Sequence, residues 1–260
     1  MRIFIVFVLV LCLQSCISVK DMVYLQKTDN SIVNPVNQIN DKAYRLQSND
    51  ILMINIKAVN PELVAIFQQN DGSSGIATQS EQGVYFNGFP VDQQGNIRIP
   101  IVGNVNVIGL TLDETRLKIE QELLDKYFTE QANIFVTVKL AGLRITVNGE
   151  VGAPGTVVLF QEKANILEAL ANAGDILTTG DRKSVVVMRQ YPTGMELHTI
   201  DLTDINALQS PYFYLQPNDY IYVKPLPQKS WGTGKTGIES LTSIFTVLTL
   251  LTTVFILARN

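Results

Sequence analysis

Two apolar runs without a single charge, Ile3 to Leu13 and Leu241 to Ala258, stand at the two ends of this 260-residue chain. They constrain the fold more than anything between them, because each seeks an apolar phase while the polar middle stays in water. The first run follows the positive end Met1-Arg2; it has the length of a secretory h-region and is too short to span a bilayer. The second would be about 27 Å long as a helix, near the thickness of a bilayer core. Together they account for much of a mean hydropathy of +0.16.

The first run ends in Leu13-Gln14-Ser15-Cys16. This resembles the bacterial lipobox, with Gln14 where Ala or Thr is more usual. The resemblance implies cleavage before Cys16, leaving residues 1–15 as a signal peptide and Cys16 as a lipidated N-terminus. The alternative is an uncleaved signal anchor in which Cys16 is incidental. Ile17-Ser18 follows with no Asp at the second mature position, so delivery to the outer membrane is expected, with the bulk of the chain in the periplasm. Cys12 would leave with the signal peptide and Cys16 would be used by lipid. No thiol then remains for a disulfide, a metal site or a nucleophile.

The middle of the chain suffices for two small domains. Net charge is −4 and no basic block occurs, which argues against nucleic acid as a partner. Residues 16–42 are polar and read as a lipidated tether. Ile54, Ile56 and Ala58 alternate with Asn55 and Lys57, the period of a half-buried strand; Asn60 and Pro61 then suit a helix start. Residues 68–83 form a Gly/Ser-rich loop. Asp92-Gln93-Gln94-Gly95 is turn chemistry before Ile97, Ile99 and Ile101, expected on one strand face, and Val105 and Val107 mark another strand. Thr111 and Glu114 form a capping box opening a helix with Leu112, Ile119, Leu123 and Tyr127 on one stripe. "NIFVTVKL" closes this first domain, 43–140.

The second domain, 141–227, opens with a strand through Ile145 and Val147 and a return strand beyond Gly155. A short helix holds Ile166, Leu167, Leu170 and Ala171 and stops at Gly174. "SVVVMRQ" and "MELHTIDL" read as a hairpin around Pro192-Thr193-Gly194, and "LQPNDYIYVKPL" adds a last strand. The expected class is α+β.

"YRLQSNDILMINI", "VDQQGNIRIPIVGNVNVIGLTLDE", "VNGEVGAPGTVVL", "ILEALANAGD" and "LQPNDYIYV" occur in that order. Together they resemble the Wza-like polysaccharide biosynthesis/export family of outer-membrane lipoproteins, over roughly residues 43–258. The resemblance implies an export domain, then one soluble-ligand-binding β-grasp (SLBB) domain, and a C-terminal transmembrane or amphipathic helix over 238–260 behind a linker, 228–237. It implies a homo-oligomer ring that conducts polysaccharide, and an inner-membrane polysaccharide copolymerase as partner, often with a tyrosine autokinase. Relatives carry more than one β-grasp domain, so a shorter periplasmic vestibule is expected. Asp175 stands where the family often has Gly.

Other motifs lead nowhere. Gly232, Gly234 and Gly237 match a dinucleotide fingerprint formally but lack a βαβ context, and Lys229 occupies the first glycine position of a Walker A motif. His198, the one histidine, has no nucleophile beside it, and Asp201 and Asp204 read as turn residues. No catalytic residue, metal site or cofactor is expected.

In the last run Thr242, Thr246, Thr249 and Thr253 follow i, i+4, i+7, i+11 and share one helical face. One reading is a ring of helices with these hydroxyls on a wet lumen. The other is a single-span anchor whose threonines bond their own backbone. Function reduces to two classes: a subunit of a channel exporting capsular or exopolysaccharide, or a lipid-anchored periplasmic glycan-binding or adaptor protein. A cell-wall-modifying enzyme has no residue to support it.

Overall fold

The computed structural model describes residues 19–27, 43–60, 62, 64–67, 87–128, 133–191, 193–227, 229, 245–250, 252, 253 and 256. Cys16, Thr242, the 68–83 loop and the glycine-rich 232–237 stretch lie outside them.

Among the described residues the fold mixes α and β structure in two units. In the first, β1 (Ile51–Lys57) runs antiparallel to β2 (Phe89–Pro90) on one side and to β5 (Phe135–Leu140) on the other. A separate hairpin joins β3 (Asn96–Ile99) to β4 (Gly103–Asn106). Helix α1 (Leu112–Lys126) packs on β5. Its start follows the sequence signal: the Thr111 hydroxyl accepts from Glu114 N–H, and the Glu114 carboxylate accepts from Thr111 N–H. Ile119 and Leu123 are fully buried beside Leu52 and Ile56. Burying each such side chain contributes about 1.5–3 kcal/mol.

Three local expectations are corrected. Ile97 and Ile99 are buried, but Ile101 is 53% exposed because its backbone turns to φ +68° and leaves the strand. After Asn60, whose side chain accepts from Glu62 N–H, the described residues form only a 3₁₀ turn, Ala65–Phe67. Tyr127 ends α1 as its half-exposed C-cap; its hydroxyl donates to Ile101 C=O at 2.8 Å.

The second unit is a five-stranded mixed sheet in the order β7-β6-β10-β8-β9. Here β6 is Leu143–Gly149, β7 Gly155–Leu159, β8 Gly180–Tyr191, β9 Gly194–Ile200 and β10 Tyr220–Pro225. The central β10 is parallel to β6 and antiparallel to β8. Helix α2 (Ile166–Asn172) lies across one face. It buries Ile166, Ala169 and Leu170 against Ile145, Val147, Val185, Val187 and Ile221. Ala171, expected on that stripe, points to solvent, and Ala169 fills the place. A capping box of Asn165 and Glu168 starts α2.

Candidate functional site

Residues 19–27 are docked on the second unit, which corrects the reading of a free tether for this part of 16–42. Leu25 N–H donates to Leu202 C=O at 3.0 Å, Gln26 N–H to Thr203 C=O at 2.7 Å, and Ile205 N–H to Gln26 C=O at 3.1 Å. Tyr24 and Leu25 pack against the second core. The Tyr24 hydroxyl donates to Asp175 Oδ1, and the Arg182 guanidinium lies 5.3 Å from the Tyr24 ring centre. Burial, then the bond to Asp175, pushes the Tyr24 phenol up to about 12. Asp21 pairs with Lys183 at 2.6 Å. These contacts make residues 19–27 a strap.

The strap meets the second unit at one pole. Gly174 (φ +75°) ends α2, and its carbonyl would lie 2.5 Å from a Cβ placed on Gly152, so glycine at 152 permits a close backbone approach. Asp175 follows at φ +61°, the left-handed region that favours Gly and tolerates Asp. Its Oδ1 also accepts from Ile176 N–H at 2.6 Å. Next to it, Leu177 N–H donates to Glu150 C=O, and the buried Glu150 carboxylate accepts from the Thr179 hydroxyl and from the Lys229 ammonium. Burial pushes this carboxyl up, but the hydrogen bonds from Lys229 and Thr179 outweigh that and hold it below its ordinary range. Leu226 N–H donates to Thr179 C=O. The strap and the exit toward the C-terminal run are therefore fastened at the same end of the domain.

One turn occurs twice, once in each unit. The turns Leu46-Gln47-Ser48-Asn49-Asp50 and Leu215-Gln216-Pro217-Asn218-Asp219 each lead into a strand, β1 and β10. Asn49 and Asn218 have φ +73° and +66°, and Asp50 and Asp219 are buried. Asp219 is held in a fork by Arg189, at 2.9 and 2.7 Å, while Asp50 accepts from the Tyr44 hydroxyl at 2.8 Å. Burial pushes both carboxyls up, and these donors pull them back. The Tyr44 phenol is raised by burial and by Asp50.

Of the threonine stripe, Thr246, Thr249 and Thr253 lie in helical turns with apolar neighbours Phe245, Val247 and Leu250 more than half exposed. The Thr249 hydroxyl reaches Phe245 and Thr246 carbonyls, and Thr253 reaches Thr249 C=O at 2.7 Å. The Thr249 and Thr253 hydroxyls thus spend their hydrogens within the helix and keep lone pairs for an outside donor. Among the described residues no helix is long and apolar enough to cross a membrane.

A family model described as polysaccharide biosynthesis/export protein matches residues 38–139, and one described as SLBB domain matches residues 143–223. The chain therefore carries an export domain and an SLBB domain in tandem. The chain is 32% identical over 158 residues to the EPS I polysaccharide export outer membrane protein EpsA of Ralstonia solanacearum, covering 59% of this chain and 41% of that one. It is 31% identical over 148 residues to its namesake in Ralstonia nicotianae, covering 56% and 38%. The matches thus span about two fifths of those relatives.

The remaining residues singled out in the sequence make local contacts. His198 stacks on Tyr212, with ring centres 3.5 Å apart, and meets Glu196 at 3.0 Å. Asp201 accepts from Thr203 N–H and hydroxyl, and Asp204 caps a 3₁₀ turn at Asn206 N–H. Among the described residues no His, Cys, Asp and Glu cluster could hold a metal ion. The strap had no sequence signal; the repeated Leu-Gln-x-Asn-Asp turn was present in the letters.

Proposed function

We propose that this chain is a subunit of an oligomeric outer-membrane channel that exports capsular or exopolysaccharide across the periplasm and outer membrane. The observation that carries this is the export domain followed directly by an SLBB domain, at 38–139 and 143–223. The relatives' description as polysaccharide export outer membrane proteins supports it. Cys16 carries the lipid, the two domains stand in the periplasm, and residues 238–260 form a helix whose neighbours in a homo-oligomer ring close a helical pore. Thr242, Thr246, Thr249 and Thr253 face its lumen and exchange hydrogen bonds with passing sugars. A ring of helices satisfies every backbone group internally and so needs no open edge in lipid. No catalysis is assigned to the chain. An inner-membrane polysaccharide copolymerase, with or without a tyrosine autokinase, delivers the polymer.

The second reading is a lipid-anchored glycan-binding or adaptor protein. The hydroxyls bonding back to their own helix favour it, since an anchor needs nothing else of them. Deleting residues 238–260 separates the two. A channel subunit loses polymer from the cell surface, while the truncated protein keeps its fold by circular dichroism. Surface polymer at its normal level in the deletion strain would favour the adaptor.

A further inference from the structure

The five-stranded sheet of the second unit has one face under α2 and one open to water. Ile145, Val147, Val187 and Ile221 join the core with Ile166 and Leu170 of the helix, so their neighbours in sequence point the other way. On the open face Thr146 stands beside Tyr220 and Asn148 beside Tyr222. Thr156 of the edge strand β7 lies across from Thr146, and Arg144 stands one level before it. With about 3.3 Å per residue, Arg144, Tyr220 and Tyr222 make a row about 13 Å long.

Both tyrosines lie down on the sheet. The Tyr220 hydroxyl accepts from the Asn148 side-chain amide at 2.7 Å, so its ring leans over β6. The Asn148 amide is itself held, its Oδ1 accepting from Gly149 N–H at 2.8 Å. Tyr222 Cε2 lies 3.1 Å from where a Cβ on Gly149 would stand, so this ring also rests against β6. Both residues are half-buried: each ring turns one face to the sheet and the other to water. Such faces suit the apolar C–H side of a sugar ring, whose hydroxyls then reach the rim. There the Thr146 and Thr156 hydroxyls have no partner among the described residues, and Tyr220 keeps its hydrogen to donate.

Charge narrows the class of sugar. Arg144 is exposed, and no carboxylate pairs with it among the described residues. Glu196 of β9 lies opposite Arg189 on the other face and meets His198. At the far end Lys224 is balanced by Asp181, which follows the Gly180 partner of Pro225. The row therefore offers one uncompensated cation beside two stacking rings.

We propose that this open face of the SLBB domain binds an acidic polysaccharide, with a sugar carboxylate on Arg144 and neighbouring sugar rings on Tyr220 and Tyr222. This rests on the reading of the chain as a polysaccharide exporter and names the class of polymer. A guanidinium takes a carboxylate through two parallel N–H bonds, which a neutral sugar cannot match. The face has no walls, so the polymer is held side-on and can be released.

The test uses the full-length protein in detergent and isothermal titration. The probe is the producing cells' own surface polymer cut to short oligosaccharides, with the same fragments after chemical reduction of their carboxyl groups as the neutral control. Arg144→Gln should weaken the acidic fragments about tenfold and leave the reduced ones unchanged. Tyr222→Ala should weaken both about fivefold, while Tyr222→Phe keeps the ring and the affinity. Arg144 makes no side-chain contact that folding needs, so its variant reads binding alone; melting curves check the tyrosine variants. Fragments that bind every variant alike, or do not bind at all, overturn the site, as does a polymer without acidic sugars. Equal affinity for acidic and reduced fragments overturns the charge selection. A Tyr222→Ala protein that keeps its fold and its affinity but loses assembly gives this face to contact between copies instead. A strain lacking the protein that still displays polymer overturns the export reading, and the proposal with it; failed binding with export dependent on the protein overturns the site alone.

Discussion

Asp50 and Asp219 hold the same place in two copies of one turn. In each, Oδ2 accepts the N–H of the glutamine three positions earlier, Gln47 or Gln216, at 2.8 Å. The intervening Asn49 and Asn218 take the left-handed backbone that lets the chain double back before the strand. The copies differ in what faces the carboxylate. Asp219 meets a buried guanidinium, with side-chain exposures of 4% for Arg189 and 0% for Asp219, whereas Asp50 meets a phenol.

That difference sets the cost of neutralising each. Asp219→Asn leaves Arg189 buried without a counter-charge and should cost about 3–5 kcal/mol. Asp50→Asn weakens the hydrogen bonds from Tyr44 and Gln47 but relieves a buried charge that no cation faces, so about 1 kcal/mol is expected. Urea midpoints of the two variants in detergent measure this; equal losses would contradict it.

The strap yields a second contrast. Asp175→Gly removes the acceptor for Tyr24 but suits φ +61°. Asp175→Ala removes the same acceptor and adds left-handed strain, so it should be about 1 kcal/mol less stable than the glycine variant. Both should expose residues 19–27 to limited proteolysis, as should Tyr24→Phe to a lesser degree. A strap equally protected in all three would show that the hydroxyl contact is incidental.

Much of this fold was legible because its local signals agree with its packing. The Thr111–Glu114 box, the β8–β9 hairpin and the alternation of β1 stand as read, since capping and period-2 burial act over a few residues. Ile101 misled because strand alternation was extended past Pro100, where a positive φ turns the chain. The docked strap was illegible for a different reason. Its partners, Asp175, Leu202 and Thr203, lie more than a hundred positions away, and a polar segment gives no sign of a distant acceptor. The Asp175 departure from the family's Gly was visible as a letter, but its bond to Tyr24 was not.

The Glu150 carboxylate gives a pH dependence of definite sign. Its pKa is held below the ordinary value, so its stabilisation is present above about pH 4.3 and is lost as pH falls through the folded value. Acidification should release Lys229 and open the C-terminal exit to protease, and Glu150→Gln should open it at neutral pH. Release on raising the pH from 5 to 8 would contradict the assignment.

The threonine stripe can be tested by accessibility. Thr249→Cys should react with a small membrane-impermeant thiol reagent in intact outer membranes. Val247→Cys, about 200° away around the helix, should be shielded. Replacing Thr246, Thr249 and Thr253 together by Leu should cut polymer flux, because a dry bore offers sugars no hydrogen bonds for those lost to water. Equal labelling with normal flux would assign the helix to anchoring alone.

The account turns on closed assembly of full-length chains. Negative-stain images of the lipidated protein, extracted in mild detergent, should show ring-shaped particles with a central opening and one repeated subunit. A population of single chains that stays monomeric across protein concentrations and detergents would contradict the channel.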